Sequence, residues 1–268
     1  MLLPAVNPLN ALVVGATQGI GLEFVRQLLS DRRIHHLFAT YRLATTATDL
    51  LALAESHPNQ LHCVPMDLTQ EAQIISGITT VSERLQDQLT GQTAGNTASH
   101  LHFVVNCVGL LHNDQQQPEK ALRQLEAENL VNYFQVNSIG PALLAKHLLP
   151  LLKHSEPSLF ATISAKIGSI GDNRIGGWYG YRASKAALNM FLRTAAIEYR
   201  RRSPKTTIVM LHPGTTDTRL SKPFQRGVPP EKLFSTERTV SQLIQVLSNA
   251  THEDSGEFFS WDGSRLPW

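Results

Sequence analysis

The sequence has few of the features that mark secreted, membrane or metal-binding proteins. It contains two cysteines, Cys63 and Cys107, in 268 residues. Both lie in apolar runs that predict buried strands, so we expect free thiols, with no disulfide framework and no metal site. The N-terminus lacks the basic and apolar regions of a signal peptide, and no uninterrupted apolar run reaches the ~18 residues of a membrane span. These features favour a soluble, cytoplasmic protein.

A strong charge bias and internal repeats are also missing. The net charge is +2, from 24 basic and 22 acidic residues, so bulk charge indicates neither a nucleic acid nor an acidic membrane as partner. No repeat with a period of roughly 20 to 50 residues is visible. The length and the 42% hydrophobic content suit one large α/β domain as well as two small ones.

Segments with strand and helix patterns alternate along the chain. We predict strands at 10–14, 37–41, 61–66, 102–105, 159–163, 207–211 and 256–261, and helices after 21 and at 46–56, 71–89, 122–152, 181–189 and 236–248, with a surface loop at 90–99. Such alternation predicts an α/β fold of the Rossmann type over residues 1–268, a single domain with a doubly wound parallel sheet and helices on both faces.

A glycine-rich turn follows the first predicted strand. Its spacing is Gly-x-x-x-Gly-x-Gly, which would let the backbone approach a pyrophosphate at the start of a helix. Taken alone, the motif also fits an ordinary strand-to-helix turn. Its place in the first β-α-β unit favours a dinucleotide site, with predicted contacts from Gly15, Thr17, Gln18, Gly19, Ile20 and Gly21.

The residues after the second predicted strand indicate which dinucleotide binds. An NAD site would have an acid about 20 residues past the glycines, for the ribose hydroxyl, but no acid occurs from 37 to 48. Arg42 can pair with a 2′-phosphate, although it also fits a solvated loop arginine. We therefore expect NADP(H), with NAD(H) possible.

Tyr181 and Lys185 are the strongest candidates for chemistry. They are four residues apart in a helix-forming segment, so they share one helix face. An ammonium beside the phenol would lower its pKa from about 10, and such a tyrosine can give a proton to a reduced carbonyl. Most pairs with this spacing only share a helix face, but here other signals accompany it.

Two prolines mark further candidate positions. Pro141 follows Asn137 by four residues and removes the N–H that would bond the Asn137 carbonyl, which frees that carbonyl for a water near Lys185. Pro213 and Gly214 predict a turn followed by hydroxyls, and residues from about 215 to 235 are rich in Pro, Gly and charge, as in a substrate lid.

Together these residues resemble the classical short-chain dehydrogenase/reductase family along nearly the whole chain. Residues 168–179 and Trp261-Asp262-Gly263 look like the C-factor/Sniffer-type branch of carbonyl reductases. The resemblance implies a catalytic Tyr181, Lys185 and Asn137. It implies further cofactor contacts from Arg42, Asp67, Leu68, Asn106, Val108, Gly109, Tyr181, Lys185, Pro213, Gly214, Thr216 and Thr218. Asp67 also fits a helix cap.

The catalytic serine is the main departure from the family. Aligned on Gly168, the usual second serine is Ala165, and Ser164 would be the first. Since side chains alternate along a strand, Ser164 would point elsewhere unless the strand end bulges. The alternatives are a substrate donor at Ser164, which we favour, a donor at Ser169, or a carbonyl bound by Tyr181 alone. Val14 and Cys107 also replace the usual Thr and Asn.

The resemblance implies an NADP(H)-dependent oxidoreductase that interconverts a carbonyl and an alcohol on a small substrate. Trp178, Tyr179 and Phe224 suggest an apolar pocket. The rival hypothesis is a cofactor-binding signalling or sensor protein with little turnover, for which Ala165 gives a basis. An apolar stripe on the helix from Ala183 to Tyr199 predicts a homodimer or homotetramer.

Overall fold

The computed structural model describes residues 2–87 and 100–268. The main strands are β1 (Leu9–Val14), β2 (Ile34–Tyr41), β3 (Leu61–Pro65), β4 (Phe103–Asn106), β5 (Ser158–Ile163), β6 (Thr206–His212) and β9 (Phe258–Ser260), and a separate short pair is β7 (Thr215–Thr216) with β8 (Leu233–Phe234). The helices are α1 (Gly19–Leu29), α2 (Thr48–Ser56), α3 (Glu71–Asp87), α4 (Ala127–Phe134), α5 (Gly140–Leu152), α6 (Tyr179–Arg202) and α7 (Thr236–Asn249). The loop predicted at 90–99 lies outside the described residues.

The sheet has seven strands in the order β3-β2-β1-β4-β5-β6-β9. All six neighbouring pairs are parallel, so the carboxyl ends of the strands form one edge. The strand order reverses between β1 and β4, and ligands of doubly wound sheets bind beside such a switch point. The predicted Rossmann-type fold is confirmed.

The sheet is buried on both faces because successive side chains of each strand point to opposite sides. In β1, Ala11 and Val13 pack into a core with α1 and α7. Leu12 and Val14 pack into a second core with α3, α5 and α6. Among the described residues, no helix is long and apolar enough to cross a membrane.

The predicted helical region at 122–152 is confirmed from Ala127 to Leu152, but it contains a π turn that the sequence did not indicate. The structure contains α4, a π-helical turn at Gln135–Ile139 and then α5. At the junction, a Cβ on Gly140 would lie 2.6 Å from the Leu68 carbonyl oxygen, so the two backbones approach closely. The wider turn includes Asn137 and buries it; single π turns of this kind are frequent at functional sites.

Candidate active site

The glycine-rich turn has the close backbone approach that its spacing predicts. Gly15 and Gly19 have φ of +79° and +54°, and a Cβ on Gly21 would collide with the Gly15 carbonyl oxygen. Thr40 of β2 supports the turn: its Oγ1 accepts a hydrogen bond from Gly15 N at 3.0 Å, and its carbonyl accepts one from Ala16 N at 2.9 Å. Sequence analysis missed Thr40, whose partner is remote in sequence.

Two predicted adenosine-side residues follow the next strands. Arg42 is exposed just after β2. Asp67 Oδ1 accepts hydrogen bonds from Thr69 N at 2.9 Å and from Thr69 Oγ1 at 2.8 Å, so it stabilises the turn before α3. Because α3 begins only at Glu71, these bonds do not make Asp67 a helix cap, and that interpretation is wrong. Contacts of Arg42, Asp67 and Leu68 with a cofactor remain predictions.

The turn after β4 lies beside the candidate catalytic residues. Asn106 Oδ1 accepts a hydrogen bond from Val108 N at 3.1 Å. A Cβ on Gly109 would lie 3.6 Å from Lys185 Nζ and 3.8 Å from Asn137 Oδ1. Three motifs that are distant in sequence therefore meet at this turn.

Asn137 joins the β4 turn to α6. Its Oδ1 accepts a hydrogen bond from Leu110 N at 2.7 Å, and its Nδ2 donates to the Leu110 carbonyl at 2.8 Å. The same Nδ2 donates to Ser184 Oγ at 3.0 Å. The side chain is buried, so it has a structural function at this junction. The water relay through the Asn137 backbone carbonyl remains a prediction.

Tyr181 and Lys185 lie on one face of α6, as predicted, and both are buried. Lys185 Nζ donates to the Ile163 carbonyl at 3.0 Å and lies 5.9 Å from the centre of the Tyr181 ring. Burial lowers the pKa of Lys185 to about 8. Burial raises the pKa of Tyr181 above its usual value, and Tyr133 adds to the effect. The expected lowering of the Tyr181 pKa is not found in this arrangement, because burial disfavours the charged phenolate.

Both candidate serines have partners away from Tyr181. Ser164 Oγ donates to Asn189 Oδ1 at 2.7 Å in a buried contact, and Ser169 Oγ accepts from Asp172 N at 3.2 Å. Ala165, at the family's usual serine position, instead packs against the apolar cluster that contains Tyr181. The role of Ser164 toward substrate stays a prediction, and its proton is engaged by Asn189.

An aromatic wall adjoins the Tyr181 ring. The ring centre of Trp178 lies 6.3 Å from that of Tyr181 and 4.8 Å from that of Phe224. The Tyr133 ring packs edge-on to Tyr181 at 6.3 Å. Leu110, Leu111, Ile167 and Leu220 complete the cluster, which forms an apolar surface beside the phenol.

The segment after β6 connects this wall to the glycine-rich turn. A Cβ on Gly19 would lie 3.2 Å from Thr218 Cγ2. Gly214 has φ of +72°, and Thr216 Oγ1 lies 2.8 Å from Thr239 Oγ1 of α7. On the other side, His112 Nε2 lies 3.2 Å from the Leu220 carbonyl. The predicted lid is thus anchored at α7, while its contacts with a cofactor remain predictions.

The comparisons agree with this arrangement. Residues 9–228 match the family model for short chain dehydrogenases, and the chain belongs to the short-chain dehydrogenase/reductase family of oxidoreductases. This result confirms the family, the fold and the enzyme class predicted from the sequence.

The relatives and structural neighbours include the predicted branch. The chain is 31% identical to the C-signal of Myxococcus xanthus over 55% of its own length and 84% of that protein. An NADPH-bound carbonyl reductase from chicken fatty liver is 30% identical with a TM-score of 0.83, covering 98% of this chain and 100% of that one. The carbonyl reductase Sniffer of D. melanogaster is 25% identical with a TM-score of 0.82 and the same coverage.

Proposed function

We propose that the protein catalyses NADP(H)-dependent interconversion of a carbonyl and an alcohol. The observation that carries the proposal is that Lys185 and Asn137 converge at Gly109, while Tyr181 lies one turn before Lys185 on the buried face of α6. Gly109 follows β4, at the edge of the sheet that also carries the glycine-rich turn. The NADPH bound by the chicken enzyme supports the same cofactor here.

The residues present fit a dinucleotide. Glycines at 15 and 21 let the turn pack closely against Val108 and against itself, where a Cβ would collide, and α1 begins there without a capping hydrogen bond from the Gln18 side chain. Its N–H groups are therefore suited to a pyrophosphate. Arg42 would pair with the 2′-phosphate, and the 106–109 turn with Lys185 would adjoin the nicotinamide ribose. Bound NADPH would supply the hydride.

The chain's own contribution is a proton and the orientation of the carbonyl. Tyr181 Oη would donate its proton to the carbonyl oxygen as negative charge develops there in the transition state. Lys185, as the ammonium, would stabilise the phenolate left behind. The Asn137 carbonyl would hold a water that returns a proton toward Lys185.

We assign the orientation of the carbonyl to Tyr181, and a direct role of Ser164 or Ser169 stays a prediction. Ser164 donates its hydroxyl proton to Asn189, Ser169 Oγ accepts from Asp172 N, and Ala165 offers no hydroxyl. The aromatic wall and Leu111 and Leu220 favour a neutral, apolar carbonyl compound as substrate.

The test is NADPH consumption with a panel of aldehydes, ketones and quinones. We expect turnover with apolar carbonyl compounds and weak activity with charged analogues. A protein that binds NADPH but consumes none with any of them would contradict the proposal.

That negative result would favour a second candidate, a cofactor-binding signalling protein of the same fold. One observation supports it: the position of the usual serine is Ala165, and the hydroxyl proton of the adjacent Ser164 is donated to Asn189. The similarity to the C-signal agrees with it. The convergence of Tyr181 and Lys185 argues against it. A cytoplasmic location stays a prediction under either function.

We also propose that the protein is a homodimer or homotetramer through α6. Part of the predicted stripe, including Leu188 and Leu192, is buried within the subunit. Met190, Phe191 and Ile197 are still 67, 45 and 56% exposed, which favours a second copy as the partner. Light scattering should give at least a dimer at micromolar concentration, and a monomer would contradict the proposal.

A further inference from the structure

The start of α6 has an uncommon backbone. Gly176, Gly177 and Trp178 have φ of +71°, +66° and +53° in succession. Trp178 is a bulky residue in the left-handed region, which persists only where surrounding contacts stabilise it. It is also the N-cap of α6, and its side chain makes no capping hydrogen bond. Other groups must therefore stabilise the first turn of the helix that carries Tyr181.

Glu119, remote in sequence, provides these contacts. Its carbonyl oxygen accepts a hydrogen bond from Trp178 N, and its Oε2 accepts one from Gly180 N at 3.1 Å. The residue is 3% exposed. A carboxylate at this place satisfies a free N–H of the helix and interacts favourably with the positive end of the helix dipole.

The carboxylate fits closely between α4 and α6. A Cβ on Gly180 would lie 2.5 Å from Tyr133 Cδ2 and 3.0 Å from Glu119 Oε1. Only a glycine therefore fits here without displacing its neighbours. Tyr133 in turn packs edge-on to Tyr181. The Glu119 carboxylate therefore lies close to the residues that pack against Tyr181.

Arg182 stabilises the loop that precedes α6 rather than the first turn itself. Its guanidinium donates to the carbonyls of Gly176 at 3.0 Å, Gly177 at 2.8 Å and Ile167 at 3.2 Å. These bonds fix the loop before α6 but include no group of the helix's first turn. The cap of that turn comes from Glu119.

We propose that Glu119 is a positioning residue for the reaction: it caps α6 from a distance and so fixes Trp178 and Tyr181 against the substrate. The inference rests on the proposed function for its kinetic consequence. Trp178 lies against both Tyr181 and Phe224, so a loosened first turn changes the aromatic wall. Lys185, one turn further along, has its own bond to Ile163, so cofactor binding does not depend on the cap.

The test compares Glu119→Ala, Glu119→Gln and the control Glu128→Ala, which removes an exposed acid of α4. For Glu119→Ala we expect kcat/KM for an apolar aldehyde to fall at least about 10-fold, through a higher KM and a lower kcat, with the Kd for NADPH unchanged. The amide oxygen of Glu119→Gln can still accept from Gly180 N, so this variant should recover most of the loss. Glu128→Ala should match the unmodified protein.

Hydrogen exchange of the peptide around 177–185 provides a readout that needs no turnover. Protection there should fall in Glu119→Ala and be kept in Glu119→Gln, while peptides from β1 and α1 stay unchanged. If the unmodified protein shows no turnover, the proposed function fails, but this exchange result still decides whether Glu119 caps α6. Normal kinetics and exchange in Glu119→Ala would overturn the proposal, and so would equal loss of protection throughout the chain.

Discussion

The two halves of the site are built by different means. The cofactor half, from β1 to β3, depends mainly on the backbone geometry of one short segment, the turn from Gly15 to Gly21, with Thr40 of β2 as its support. The substrate half depends on side chains that join remote segments, such as Asn137 with Leu110 and Glu119 with Gly180. A local motif can therefore indicate the cofactor half, while the substrate half requires the folded chain.

A matched pair of glycine substitutions separates the two halves, because each adds a Cβ at one of the two close backbone contacts. In Gly21→Ala the new Cβ would collide with the Gly15 carbonyl oxygen, and in Gly180→Ala it would crowd Tyr133. Overpacking of this kind costs about 1–3 kcal/mol. Gly21→Ala should weaken NADPH binding by on the order of 10- to 100-fold, by that estimate. Gly180→Ala should instead lower kcat/KM with NADPH affinity unchanged.

Fluorescence titration with NADPH and steady-state kinetics check this pair. Thermal unfolding of both variants controls for loss of the fold. Equal loss of NADPH affinity in the two variants would show that the halves are not separate in function.

The sequence predicted the fold and the tight glycine-rich turn well because both depend on short-range patterns. Each of the seven sheet strands overlaps a predicted one, and α1 begins at Gly19 within the motif. The π turn around Asn137 was missed because residues 122–152 look helical throughout. The wider turn lies where the backbone at Gly140 comes close to Leu68. Glu119 was missed because a lone acid in a polar loop gives no sign of a partner 61 residues away.

The pKa of Tyr181 shows the same limit of prediction from the sequence. Spacing alone indicates an ammonium near a phenol, but it does not indicate how deeply both are buried. Burial decides the direction of the Tyr181 pKa here. Likewise, the partner of Ser164 is Asn189 on another element, which strand alternation alone could not identify.

Arg42→Ala tests the basis of NADP(H) selection within the cofactor half. The substitution removes the one side chain assigned to the 2′-phosphate, and a charged hydrogen bond contributes about 1.5–3 kcal/mol. We therefore expect NADPH affinity to fall by roughly 10- to 150-fold while NADH affinity changes little. Tighter binding of NADH than NADPH by the unmodified protein would contradict the assignment, as measured by titration with each cofactor.

Ser164→Ala should have the smallest effect on turnover, and it tests whether Ser164 acts directly on the substrate. It removes a buried bond to Asn189, so we expect a loss of about 1–3 kcal/mol in the free energy of unfolding. kcat should stay within a few-fold. Denaturant unfolding and steady-state assays measure the two quantities, with Ser169→Ala as the matched control. A fall in kcat of about 10²-fold, as for an oxyanion donor, would instead assign the serine a direct role.

The most direct measurement is NADPH oxidation by one reactive aldehyde in the unmodified protein and in Tyr181→Phe, with NADPH affinity determined for both. Removing the phenol proton should leave NADPH affinity nearly unchanged and lower kcat by about 10²- to 10⁴-fold, the range for a general acid. Retained turnover in Tyr181→Phe would contradict the central claim that Tyr181 supplies the proton.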